Sequence, residues 1–112
     1  MNRLADDIRA LAAHGKATLM YSQDEVAVEA FLSEVRAELT RARSKFPGDR
    51  IMTLAFSEEA GELVKAVLDE PAAAVRKEAV QVATMAARVV LDGDSSVNAW
   101  RAERGLDPLV AQ

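Results

Sequence analysis

LAFSEEAGELVKAVLDEPAAAVRKEAVQVATMAARVV, residues 54–90, decides the fold. Read at about 100° per residue, its first half places Phe56, Ala60, Leu63 and Val67 on one apolar stripe. Ile51, Ala55, Glu58, Glu62 and Ala66 fall on the opposite side, with Glu59 beside them. In the second half Lys77, Gln81, Thr84 and Arg88 form one polar strip. Glu78 lies in line with Val82, Met85 and Val89, at the edge of the apolar side. Both halves repeat with the helical period. Glu70-Pro71 breaks them apart, and proline is favoured at a first helical position, with Asp69 or Glu70 as cap. The stretch therefore predicts two helices, about Asp49–Asp69 and Pro71–Leu91, folded back as an antiparallel hairpin.

Working outward, residues 2–13 read as a short helix with Leu4, Ile8 and Leu11 in register, ended by Gly15. Asp24 can cap a helix of about 22 residues whose stripe is Val28, Phe31, Leu32, Val35, Leu39 and Ala42. Glu29, Glu34, Arg36 and Arg43 form its solvated side, and Pro47-Gly48 stops it. Beyond Gly93, Ser95 or Ser96 caps a last short helix through Arg104, closed by Gly105 and Pro108. There is no internal repeat and no sustained heptad. The expectation is one all-α domain over residues 1–112: an N-terminal extension (1–23), core helices (24–92) and a short C-terminal helix (95–104).

Composition agrees. Half of the 112 residues are hydrophobic, 29% are charged, only 4% are aromatic, and there are 5 Gly and 3 Pro, which disfavours a β-sandwich. A chain of this length builds a thin core. The second and third long helices are apolar on more sides than one chain covers, so a homodimer or dimer of dimers is expected. The net charge of −4 disfavours binding to a nucleic-acid polymer. No run of 18 apolar residues predicts a membrane span, and the start MNRLADDIRA has no signal-peptide pattern, so a cytoplasmic protein is expected.

With no Cys, disulfides, thiol catalysis and Cys-ligated zinc are excluded. The single His14 excludes a His-rich metal site, and no Ser sits in a G-x-S-x-G. Carboxylates, bases, hydroxyls and amides must do any chemistry. Counting from residue 70, Glu62 lies eight back and Glu78 eight forward; Glu59 lies eleven back and Gln81 eleven forward. At 1.5 Å per residue these pairs stand at matching heights, about 12 and 16 Å from the turn. Packed helices are about 8–10 Å apart, so inward-leaning carboxylates can meet. Converging acids repel unless a cation lies between them, and hard oxygen ligands suit Mg²⁺ or Mn²⁺. Mg²⁺ commonly also binds substrate phosphates, which points to a phosphorylated ligand. Gly61 in mid-helix costs about 1 kcal/mol relative to Ala, which a close neighbouring helix or ligand would explain.

Glu58-Glu59-Ala60-Gly61-Glu62, followed by Glu78 and Gln81, resembles the E-E-x-x-E … E-x-x-D pattern of the MazG-like all-α nucleoside triphosphate pyrophosphohydrolases. The likeness runs from about Val28 to Val90 and is strongest in FSEEAGELVKAV; Gln81 stands where that family usually has Asp. The resemblance implies a four-helix core that dimerises. It implies Mg²⁺-dependent cleavage between the α and β phosphates of a (deoxy)nucleoside triphosphate of the free pool, giving a monophosphate and pyrophosphate. Phage-encoded members that act on a deoxypurine triphosphate make that one admissible substrate. Carried over by position, Glu59, Glu62 and Glu78 are metal ligands. Glu58 is a further ligand or orients the attacking water, and Gln81 takes the fourth ligand's place. Lys77, Arg88 and Lys65 are candidate phosphate contacts, with Lys45 and Arg50 near the open end of the hairpin.

Each of these residues also has a plainer reading. Glu58, Glu59 and Glu62 are good helix formers for a wet face. Glu78 could pair with Lys77, Arg76 or a neighbouring helix, and surface Lys and Arg are common. Trp100 packs the last helix or stacks on a base, and Phe46 lies in the core or lines a base pocket. The rival function is a non-catalytic helical module that binds a nucleotide or a partner protein, with a degenerate metal site.

Overall fold

The computed structural model describes residues 3–7, 22–48 and 51–112. All the described regular structure is helical apart from an isolated bridge between Gly93 and Val110. Residues 3–7 are helical; the remainder of the helix expected over 2–13, with His14, Gly15, Met20, Tyr21 and Arg50, lies outside the described residues. The long helices are α1 (Gln23–Lys45), α2 (Met52–Asp69) and α3 (Ala72–Asp92), followed by a 3₁₀ turn (Ser95–Val97) and α4 (Asn98–Ala102). The chain divides into two compact units, Met1–Ser33 and Glu34–Gln112, whose boundary falls inside α1.

In the first unit, Ser22 begins α1: its Oγ accepts the Glu25 N–H at 3.1 Å. The cap is therefore Ser22 and not Asp24, which joins Glu25 in the first turn, where negative charge suits the helix dipole.

In the second unit, α2 and α3 pack as the expected hairpin. Pro71 is itself the cap of α3, with extended backbone (ψ 158°), and its carbonyl accepts the Ala74 and Val75 N–H groups. The helix thus starts one residue later than the sequence suggests. The buried face of α2 runs through Met52 and Ala66, with Phe56, Glu59 and Leu63 half-buried between them. Val67, expected on the core stripe, is exposed, and Ala66 replaces it in the interior. Near a two-residue turn the helices approach closely, and alanine admits that approach where valine would hold them apart.

On α3 the strip read as polar divides: Thr84 and Arg88 are buried, with Val80 beside them, while Gln81 is half-buried and Lys77 exposed. The cause is the second half of α1, which lies along it and supplies polar partners. Glu34 pairs with Arg76, Glu38 with Gln81 and Arg43 with Asp92, so the order of contacts rises along both helices. After α3, Gly93 takes φ +76°, and a Cβ there would stand 2.7 Å from the Leu109 carbonyl oxygen. Glycine is required because the C-terminal segment returns across this point. The Asp94 N–H donates to Leu109 O and the Gln112 N–H to Leu91 O.

Among the described residues Ala42, Met52, Ala66 and Val80 are the buried apolar side chains, while Leu54, Val64, Val67 and Leu68 on α2 are exposed. No helix among the described residues is long and apolar enough to cross a membrane.

Candidate functional site

The hairpin brings Glu59 and Glu78 together. Glu59 lies in the middle of the buried face of α2, and Glu78 is half-buried on α3. Burial raises the Glu59 pKa, and the charges of Glu78, Glu62 and Glu58 raise it further, with a hydrogen bond between the Glu59 and Glu78 side chains adding to the effect. The chemistry is that of like charges sharing a site, which disfavours ionising the Glu59 carboxyl. Glu58 and Glu62 are exposed, flanking the pair from the outer side of α2. The register differs from simple counting. Glu59 meets Glu78, because Glu59 occupies the inward stripe while Glu62 is turned outward.

Gln81 is not part of this meeting. Its Nε2 donates to Glu38 Oε2 on α1 at 2.9 Å. Glu38 is held in turn by Arg41, whose Nε and Nη2 reach its two oxygens at 2.7 Å each. The Arg41 hydrogen bonds lower the Glu38 pKa to about 2, against an opposing effect of burial and with help from Gln81 and the Arg41 charge. These residues line an open groove of about 410 Å³ between α1 and α3, with Ala37, Val80 and Lys77 among the others.

Of the three candidate phosphate contacts, Lys77 is exposed on that groove and forms no ion pair among the described residues. Lys65 is engaged at the hairpin turn, with Nζ 2.9 Å from Glu70 and 3.4 Å from Asp69. Arg88 is buried. Its Nε donates to Asp92 at 2.7 Å and its Nη2 to the Phe46 carbonyl. Arg43 meets the other Asp92 oxygen, so Arg88 ties α1, α3 and the following loop together. Its guanidinium is not presented to a ligand. Trp100 is 62% exposed and carries the Arg104 guanidinium 3.2 Å from its ring centroid.

Sequence reasoning missed Glu38, Arg41 and Asp94. Glu38 carries the signal that marks Glu78, a carboxylate on an apolar helical stripe, here that of Phe31, Val35 and Ala42. Asp94 is fully buried and accepts the Thr53 N–H at 2.7 Å, the Ser96 N–H at 3.0 Å and the Ser96 hydroxyl at 2.5 Å. It caps both α2 and the 3₁₀ turn. Gly61 meets no neighbour: a Cβ there would find nothing within 4 Å.

The carboxylates of Glu58, Glu59, Glu62 and Glu78 are hard oxygen donors of the kind Mg²⁺ and Mn²⁺ prefer, and the repulsion that raises the Glu59 pKa favours positive charge beside it. As they stand, no three His, Cys, Asp or Glu side chains among the described residues are gathered to hold an ion. The donor set fits a hard cation in kind. Set against known protein families, curated proteins and solved structures, the chain matches none at a significant level.

Proposed function

We propose that this chain is a Mg²⁺-dependent (deoxy)nucleoside triphosphate pyrophosphohydrolase of the MazG-like kind, converting a (d)NTP of the cytoplasmic pool and water to a (d)NMP and pyrophosphate. The observation that carries the reading is the meeting of Glu59 and Glu78 across the hairpin, with Glu58 and Glu62 close enough to raise the Glu59 pKa. A close pair of acids between packed helices is an unfavourable arrangement for stability alone.

In this reading Glu59, Glu62 and Glu78 hold the cation, and Glu58 completes the set or orients the attacking water. Bound Mg²⁺ supplies charge neutralisation at the phosphates and a more acidic water. Phosphoryl transfer needs such positioning and no covalent nucleophile, which suits a chain without Cys. Lys77, exposed beside the cluster on α3, is the phosphate contact. A second copy of the chain covers the exposed Leu54, Val64, Val67 and Leu68 and yields a homodimer or a dimer of dimers.

The test is incubation with each (d)NTP and Mg²⁺, followed by separation of mono- from diphosphate products. Monophosphate with pyrophosphate is expected; a diphosphate with orthophosphate overturns the assigned bond. The engagement of Gln81 with Glu38, away from the acids, favours a second reading, a non-catalytic nucleotide-binding or protein-interaction module. Absence of both turnover and metal binding would establish it over the first.

A further inference from the structure

The groove between α1 and α3 holds an amide whose orientation is chemically forced. Glu38 is clasped by two Arg41 N–H groups at 2.7 Å, so its carboxylate accepts and does not donate. Gln81 must give it an N–H, as the 2.9 Å contact from Nε2 shows. Turned by 180°, the amide would set its carbonyl oxygen against the Glu38 oxygen, two acceptors with no proton between them. The Gln81 carbonyl oxygen is therefore the end left for the groove. The same groove has apolar wall from Ala37, Ala73 and Val80. Gln81 stands three residues beyond Glu78, about 4.5 Å along the helix axis. Under the proposed function, a nucleotide whose phosphates are held at Glu78 would extend along α3 to the edge of the groove where this amide stands.

Resting on the proposed function, we propose that Gln81 is a specificity-determining residue. Its carbonyl oxygen accepts a hydrogen bond from an exocyclic amino group of the nucleobase and disfavours the oxo analogue. Glu38, fixed by Arg41, is the positioning residue that keeps the amide turned this way. An amino group donates to the carbonyl, while an oxo group at the same place meets it lone pair to lone pair and leaves both acceptors unpaired.

The experiment compares pairs that differ at one substituent: dCTP with dUTP, and dATP with dITP. The amino member of whichever pair is turned over is expected to have the higher kcat/KM, by about tenfold. Glu38→Gln frees the amide to turn and brings that ratio close to one, and Gln81→Leu does the same by removing the acceptor. Equal use of both members by the native chain, or preference for the oxo member, overturns the proposal. So does a Glu38→Gln variant that lowers both members equally, since that is what a merely structural role would do. Should a variant fail to fold, the native chain's analogue ratio decides alone.

Metal-free calorimetry with dCMP against dUMP, and dAMP against dIMP, separates this proposal from the enzyme reading. Preference for the amino member without turnover of any triphosphate sinks the hydrolase and upholds the groove. Turnover without preference sinks the groove alone.

Discussion

Glu59 on α2 and Glu78 on α3 approach one another across the hairpin, eleven residues before and eight after position 70, closely enough that Glu78 raises the Glu59 pKa. A carboxylate whose pKa is raised on folding binds its proton more tightly in the native state. Stability therefore falls as pH rises from the ordinary value of 4.5 through the raised native value, and the penalty stays in full above it. Without metal, Glu59→Gln is expected to melt above the native chain at neutral pH, with the gap closing below about pH 4. Saturating Mg²⁺ or Mn²⁺ reverses the order. At a hundredfold excess over Kd the native chain gains about 2.7 kcal/mol, and Glu59→Gln and Glu78→Gln gain little. Thermal melts across pH, with and without the ion, check both signs.

Arg88 was readable as a phosphate contact and is instead a buried tie. Its side chain is 5% exposed and Asp92, its partner, 8%. Replacing it leaves Asp92 with Arg43 alone and the Phe46 carbonyl without its donor. Arg88→Met is expected to cost about 3 kcal/mol in chemical denaturation, the lower end for breaking a buried pair, because Asp92 keeps one partner. Turnover per folded molecule should stay unchanged below the melting transition. A fall in kcat/KM at unaltered stability would return Arg88 to the substrate.

The contrast between Glu78 and Arg88 shows what the sequence made legible. Two long helices meeting at Pro71 follow from periodicity and a breaker, and the height arithmetic brings acids of both arms to one level. Periodicity finds a face but does not say which neighbour covers it. The strip through Thr84 and Arg88 reads as solvated because what covers it is distant in sequence: Gln81 meets Glu38 and Arg88 the Phe46 carbonyl, each more than 40 residues away. The Asp94 cap was invisible for a similar reason, since it serves Thr53 across 41 residues. Val67 and Ala66 exchange roles because close approach at a turn favours the smaller side chain, a tertiary preference that hydrophobicity alone does not encode.

Asp94 should make the molecule acid-sensitive. Burial raises its pKa, but the Ser96 hydroxyl and the Thr53 and Ser96 N–H groups outweigh burial and leave it below the ordinary carboxylate value of 3.8. A lowered pKa means that its contribution to stability is complete above the unfolded value and is lost as pH falls through the native one. Asp94→Ala removes two caps at once and is expected to cost about 3 kcal/mol at neutral pH. The cost should shrink as pH falls below the ordinary value of 3.8 and through the lowered native one. Denaturant titrations of both chains at pH 7 and pH 3 read the difference.

Thr84 points the other way. It is 1% exposed, and its hydroxyl has no hydrogen-bond partner among the described residues. Thr84→Val keeps the shape and removes the unsatisfied group, so it should stabilise the chain by about 1 kcal/mol. Destabilisation would mean that the hydroxyl is bonded in solution, by a rotated side chain or a buried water.

Gly61 offers the sharpest separation between a lone chain and an assembled one. It is exposed in mid-helix, and a Cβ there would meet nothing within 4 Å. Within this chain glycine is merely a poor helix former, and Gly61→Ala should raise stability by about 0.5–1 kcal/mol. If a second copy or a nucleotide approaches the backbone between Glu59 and Glu62, the added methyl group blocks it. The expected signature under the proposed function is therefore a split result. At concentrations where the chain is monomeric the variant melts higher, while at assembling concentrations its turnover and its oligomeric mass by light scattering both fall. A variant that is more stable and fully active would leave Gly61 as an unoptimised helical position and argue against assembly through the face it shares with Leu54 and Leu68.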